Sequence, residues 1–281
     1  MTDDEKLKLA LVQMNSNDTR DANLSKAAKM IDRACAEHRP DIVVIPEFFN
    51  IPYVFQYRDY KHIDTAERDD GPSMAMVREK AMRQKIHVMA TIFEEERAGI
   101  YFDTAMLIAP DGTIAGKYRK VHPAARRSLE KIYFRYGESF PVFRVGNWRV
   151  GTIICYDTFF PEAARSSALN GAELILVPFA TPDVNCWRAM MQTRAFENGV
   201  YFTPCNKVGL EGDWDFMGSS MIVDPFGEIV TELDRKNEGV IAAELSRAKV
   251  FEARRFNPMM RDRRPDLYHS ITTASERIPR V

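Results

Sequence analysis

Three side chains with reactive or charged ends each close a run in this 281-residue chain that reads as a strand. In VGTIICYDTFFPEAAR, residues 150–165, the apolar residues stop at Cys155, and a helix start follows at Pro161-Glu162. A buried strand that carries a thiol to its carboxyl end presents a nucleophile in a fixed position. The thiolate is the reactive form, and nearby donors favour it. In DIVVIPEFF, residues 41–49, Glu47 follows the apolar run, where a carboxylate is costly to desolvate unless it has a partner or a task. Lys120 ends GKYRK in the same way. Taken singly, Glu47 also fits a structural ion pair or a solvated strand end, and Lys120 a solvated basic edge. Strand carboxyl ends tend to line one face of a sheet. Together the three make a combined case for a hydrolase site built on Cys155, which needs a general base and an oxyanion stabiliser. Histidines keep a cysteine–histidine pair open, and His122 is the one near a strand end, with no Asn or Asp partner evident.

The elements that must position these residues follow from periodicity. LKLALVQMN (7–15) reads as a buried strand, and Leu24, Ala27, Ala28, Ile31 and Cys35 form one helical stripe ended by Pro40. With 41–49 as the next strand, this is a strand–helix–strand unit, which favours a parallel pair. Gly71-Pro72 opens a helix to about Lys85, and 87–95, 101–110 and 113–121 follow as strands, the last two joined at Asp111-Gly112. FPVFRV and WRVGTIICYD form a hairpin around Gly146-Asn147. RVGTIICYD, a helix bounded by Pro161 and Gly171, and strand 172–180 then repeat the order of the first 49 residues. A helix at 186–198 and strands at 200–208, 215–224, 228–233 and 239–245 complete the pattern. No linker interrupts it, so the expectation is one domain, 1–246, with a C-terminal extension, 247–281. Two sheets with helices packed outside them fit these units. The extension is locally basic, but its Phe251, Phe256, Met259 and Met260 suit packing on a neighbouring subunit better than binding nucleic acid.

Composition sets the class. With 45% hydrophobic and 28% charged residues and a formal net charge of -1, nothing points to nucleic acid or an anionic membrane as partner. No apolar run approaches the roughly 20 residues of a membrane span. The start, MTDDEKLKLA, lacks a signal-peptide core, and Cys35, Cys155, Cys186 and Cys205 lack metal-like spacing. Free thiols and a cytoplasmic location are the expectation.

IPEFF around Glu47, YRKVHP around Lys120 and GTIICYDTFFPEAAR around Cys155, in this order and separation, resemble the signature blocks of the nitrilase superfamily of carbon–nitrogen hydrolases. The similarity runs from about residue 7 to 268. It implies a four-layer α-β-β-α sandwich, a Glu47–Lys120–Cys155 triad and a second glutamate, Glu130, in LEKIYF. It also implies a homodimer or larger homo-oligomer and a small-molecule substrate, and the chemistry requires no metal or organic cofactor. In the mechanism so implied, Glu47 takes the thiol proton and Lys120, with the N–H after Cys155, stabilises the oxyanion. Water activated by Glu47 then hydrolyses a thioester.

LEKIYFRYGESFPVF, FENGVYFTPCNKVGLEGD and RDRRPDLY resemble the N-carbamoylputrescine and N-carbamoyl-amino-acid amidohydrolases. Asp157 stands where true nitrilases carry a Trp-Glu pair. The paired arginines that some carbamoylases place after the nucleophile are replaced by Thr158 and Phe159. That leaves room for another carboxylate clamp, such as Arg188, or for a neutral or apolar substrate. Tyr53, Tyr156, Phe159, Phe179 and Ala180 are the expected pocket residues. The expected reaction is hydrolysis of an N-carbamoyl amine or amino acid to amine, CO2 and ammonia. The alternatives are an aliphatic or omega-amide amidase and a non-catalytic scaffold of the same fold.

Overall fold

The computed structural model describes residues 5–273. Its architecture follows from how side chains alternate on the first strand, β1 (Lys6–Gln13). Leu7, Leu9 and Leu11 enter one core, and Ala10 and Val12 enter another. A strand buried on both faces must lie in an inner layer. The next elements are α1 (Arg20–His38), β2 (Ile42–Val44), α2 (Pro72–Gln84), β3 (His87–Arg97), β4 (Ile100–Ile108) and β5 (Ile114–Arg119). After them come α3 (Glu130–Tyr133), β6 (Val142–Val145), β7 (Trp148–Thr152), α4 (Pro161–Leu169), β8 (Leu174–Phe179) and α5 (Trp187–Phe196). The chain continues through β9 (Tyr201–Asn206), β10 (Val208–Glu211), β11 (Trp214–Met217), β12 (Met221–Val223), β13 (Ile229–Glu232), β14 (Gly239–Ser246) and α6 (Arg247–Phe256).

One six-stranded sheet has the order β14-β1-β2-β3-β4-β5 and the other β13-β12-β9-β8-β7-β6. In each, three central parallel strands, β1-β2-β3 and β7-β8-β9, are flanked by antiparallel additions. The repeat expected from sequence is thus two β-α-β-α-β halves. α1 and α2 cover the outer face of the first sheet, with Leu24, Ala27, Ile31, Met74, Val77 and Ala81 in the shared core. α4 and α5 cover the second, and the inner faces of the two sheets share the largest apolar cluster. This is the α-β-β-α sandwich.

Four expected strands differ. β2 and β7 stop at Val44 and Thr152, short of Glu47 and Cys155. Residues 200–208 and 215–224 each divide, because β10 and β11 pair as a separate hairpin. Gly218 (φ +59°) and Ser219 (φ +55°) turn the chain between β11 and β12. Buried Lys207 holds the hairpin down, with Nζ 2.7 Å from Glu211 and 3.1 Å from the Ile51 carbonyl. In the expected C-terminal extension, α6 packs on its own chain. Val250 and Ala253 are buried, and the Arg247 guanidinium forks onto Glu173 at 2.9–3.1 Å. Phe256, Leu267 and Ile271 are exposed beyond it. Residues 274–281 of that extension lie outside the described residues.

Candidate active site

Parallel topology brings the charged strand ends together. β2 and β7 are central strands of their sheets, and Glu47 and Cys155 each follow one by three residues. β5 lies two antiparallel steps from β3, so it runs in the same direction as β2 and delivers Lys120 to the same end. Ligand and catalytic groups in α/β sheets gather at this carboxyl edge. Gly151, in β7, permits the close approach of α4. A Cβ there would sit 2.1 Å from Ser167 Oγ and 3.1 Å from Ala172 Cβ.

The backbone is strained at both chemical positions. Cys155 has φ +40° and Phe48, beside Glu47, has φ +49°. Non-glycine residues in this region cost about 1–3 kcal/mol each and persist only where the surroundings hold them. Here the holding is visible. Thr91 Oγ1 accepts the Phe48 N–H at 2.9 Å and lies 3.2 Å from the Pro46 carbonyl, to which it donates. The buried Asp157 carboxylate accepts from Ile154 N–H (3.0 Å), Tyr118 O–H (2.5 Å) and His122 N–H (2.9 Å). It therefore ties the Cys155 turn to the strand end that carries Lys120. His122 Nδ1 is 2.8 Å from the same carboxylate, and its ring stacks on Phe160 at 4.0 Å. The histidine found near a strand end is thus committed to Asp157.

At the floor, the Lys120 ammonium lies 2.6 Å from Glu47, 2.8 Å from Glu130 and 3.0 Å from Asp103, with all four side chains fully buried. The three acid oxygens lie within 4.8 Å of one another, as in a cation site, and the Lys120 ammonium is the cation at their centre. Burial alone would lower the lysine pKa, but Glu130, Glu47 and Asp103 outweigh it and hold the ammonium protonated well above its ordinary range. Burial raises the Glu47 carboxyl, and Glu130 adds to this while Lys120 opposes it. Cys155 is pushed up strongly by burial and then by Glu47, so the resting sulfur is a thiol. Its Sγ is 3.8 Å from the Ala180 carbonyl. Glu130 is fixed by the Tyr53 hydroxyl (2.5 Å) and the Ala124 N–H (2.7 Å).

Asp103 escaped the sequence reading. The signal was available, an acid inside the largely apolar strand IYFDTAMLI. Burial raises this carboxyl far above its ordinary range, and Glu47 and Glu130 add to the effect. Asp103 and Glu47 face each other as hydrogen-bond partners, and apart from the Lys120 ammonium, 3.0 Å away, no N–H or O–H among the described residues reaches the Asp103 oxygens. Two carboxyls accept this contact when one carries a proton. Asp103→Asn, which keeps the shape and a donor but removes the acid, should therefore retain kcat/KM within about fivefold and an unchanged melting temperature. A fall beyond about 100-fold would mean that the site needs a third negative charge.

Above the floor opens a pocket enclosing about 490 Å³, open solvent at its mouth included. Of the expected residues, Tyr53, Tyr156, Phe159 and Ala180 line it beside Cys155. Phe179 does not. It packs edge-on against Trp187 at 4.9 Å, since alternation at the strand end turns Ala180, not Phe179, toward the thiol. Arg188 does not either. Its exposed side chain pairs with Glu232 at 2.7 Å, because Trp187 and Met191 occupy the inner face of α5. Trp214, stacked on Tyr53 at 5.0 Å, and Arg126, Arg127 and Asp183 line the pocket without having been anticipated.

Residues 8–255 match the family model described as carbon-nitrogen hydrolase. The chain belongs to this family. Among curated relatives, this hydrolase is 34% identical to a citrullinase of Francisella tularensis subsp. tularensis, over 94% of the chain and 98% of that protein. It is 32% identical to an N-carbamoylputrescine amidase of Arabidopsis thaliana, over 93% and 94% of the respective chains. Among solved structures, a carbon–nitrogen hydrolase from Helicobacter pylori G27 superposes with a TM-score of 0.91 at 28% identity, over 96% and 99% of the respective chains. The hydrolase is therefore a carbon–nitrogen hydrolase of the nitrilase superfamily. Among the described residues, no helix is long and apolar enough to cross a membrane.

Proposed function

We propose that the hydrolase cleaves an N-carbamoyl group, converting a monosubstituted urea and water into an amine, CO2 and ammonia. The observation that carries this reading is a buried thiol on a strained turn at the floor of a pocket. Beside it a carboxylate hydrogen-bonds a permanently charged ammonium. Glu47 accepts the Cys155 proton as the sulfur attacks the carbonyl carbon. Its raised pKa makes the carboxylate a stronger base for that transfer. The oxyanion forms against the Lys120 ammonium and the Tyr156 N–H, which lies in the first turn of a 3-10 segment, where amides lack helical acceptors. Glu47 returns the proton to the departing amine. Its carboxylate then takes a proton from water, which attacks the S-carbamoyl carbon. The restored thiol and a carbamic acid result, and the acid decomposes to CO2 and ammonia. Glu130 and Tyr53 hold Lys120 in place.

The second reading is hydrolysis of a simple amide to ammonia and a carboxylic acid. The same thiol, carboxylate and ammonium serve it, because both substrates present a planar carbonyl carbon bearing nitrogen. Product analysis on matched ureas and amides separates the two. The expected result is release of ammonia and CO2 from ureas, with kcat/KM at least about tenfold above that for amides of equal length, a difference of about 1.4 kcal/mol. Faster turnover of the amides, with a carboxylic acid as product, would sink the carbamoyl reading.

A further inference from the structure

The pocket mouth carries charges that the reaction does not use. Arg126 and Arg127 line it from the segment between Lys120 and Glu130, and Asp183 lines it from the segment after β8. Among the described residues, neither guanidinium has a carboxylate partner. Asp183 faces Arg235 at 4.0 Å, both half-exposed, a contact worth little in water. Tyr156, Phe159 and Trp214 line the same pocket as Cys155 and these charges, and their rings suit a short alkyl chain rather than a second polar group.

The backbone that carries the arginines is also held. Their segment is pinned on one side by the Ala124 N–H to Glu130 (2.7 Å) and on the other by the Leu129 N–H to the Phe55 carbonyl (2.8 Å). The Ser128 hydroxyl meets Tyr53 at 3.0 Å and accepts the Glu130 N–H at 3.2 Å. At its tip, Arg127 adopts φ +60°. A left-handed arginine at a pocket mouth is the kind of strain that ligand clamps retain. A single guanidinium grips a carboxylate through two parallel N–H···O bonds, and a second adds charge beside it.

We propose that Arg126 and Arg127 bind a carboxylate at the end of the substrate remote from the carbonyl, with Asp183 receiving an adjacent ammonium. The substrate class is then an α-amino acid whose short side chain ends in a ureido group. This rests on the carbamoyl reading above for the reacting group, but the clamp itself is independent of turnover. It also relocates the carboxylate clamp from Arg188, which faces a different groove, to the segment that links Lys120 to Glu130.

Three ureas with similar chains and different tails test the clamp: citrulline (zwitterionic), N-butylurea (neutral) and N-carbamoylputrescine (cationic). Binding is measured by calorimetry on Cys155→Ala protein, so that no ligand is consumed. Citrulline should bind about 10- to 100-fold tighter than N-butylurea, and N-carbamoylputrescine more weakly than citrulline. Arg126→Gln and Arg127→Gln, each added to that background, should remove most of the citrulline advantage and change N-butylurea affinity less than about twofold. Arg127→Lys should restore part of it. Equal affinity for citrulline and N-butylurea, or equal losses for both in the glutamine variants, would overturn the clamp. Ammonia release by the unmodified enzyme is read separately. If the clamp binds citrulline but none of the three ureas is hydrolysed, the carbamoyl reading fails and the clamp stands.

Discussion

Cys155→Ala should give a folded protein whose ammonia release falls by on the order of 10⁴-fold or more, since no other group in the site can form the covalent intermediate. Removing one sulfur from a site that is 7% exposed costs little packing, so the melting temperature should stay within about 3 °C. A sharper expectation comes from the backbone. At φ +40° an alanine keeps the strain of the native cysteine, whereas a glycine does not. Cys155→Gly should therefore be about 1 kcal/mol more stable than Cys155→Ala and equally inactive, despite glycine's usual entropic penalty. Denaturant unfolding of the two variants decides this. A glycine variant clearly less stable than the alanine one would show that the turn is unstrained in solution. Residual turnover near the native rate in either variant would remove Cys155 from the mechanism. The stability of the site and its reactivity are in tension here, as expected where a nucleophile is held on a sharp turn.

The strand ends were readable because burial makes charged residues conspicuous. Glu47, Lys120 and Cys155 each interrupt a run that is otherwise fit for a sheet interior, and a parallel sheet leaves those interruptions along one edge. Glu130 was a different case. It sits in a four-residue helix within an irregular segment, where one glutamate looks like any other. Only the resemblance of LEKIYF to a known block singled it out. Asp103 was passed over because the polar pair Asp103-Thr104 in a nine-residue strand does not stand out, and its true neighbours come from other elements. Side-chain direction was the weakest inference. Arg188 is one position from Trp187, roughly 100° around the helix, and that rotation is enough to turn it out of the site. The mouth arginines lie in a segment with no periodicity, so nothing in the pattern could say which way they point.

Lys120→Met, which replaces the ammonium by an apolar chain of similar length, should lower turnover by on the order of 10²–10³-fold through loss of the oxyanion's cation. Its effect on stability should depend on pH, and the sign follows from the three carboxyls around it. In the native protein the ammonium stays charged past the ordinary lysine range, so it contributes at every pH from 5 to 9. Without it, the main force lowering the Glu47 and Asp103 pKa values is gone, and burial and mutual repulsion raise them further. A carboxyl whose folded pKa exceeds its unfolded value binds more protons folded than unfolded, so its contribution declines as pH rises between the two. The window opens near the ordinary values of 4.5 and 3.8 and extends upward to the raised ones. The variant should therefore be closest to wild type near pH 5. By pH 8 it should fall behind by on the order of 3–5 kcal/mol, the usual consequence of leaving buried charge without its partner. Urea unfolding at the two pH values measures this directly. A deficit equal at both would mean that Lys120 supports the fold by packing alone. Activity should not return at pH 5 even where the fold does. Protonating the acids removes their repulsion but puts no cation beside the oxyanion, so the same substitution separates what Lys120 does for stability from what it does for the reaction.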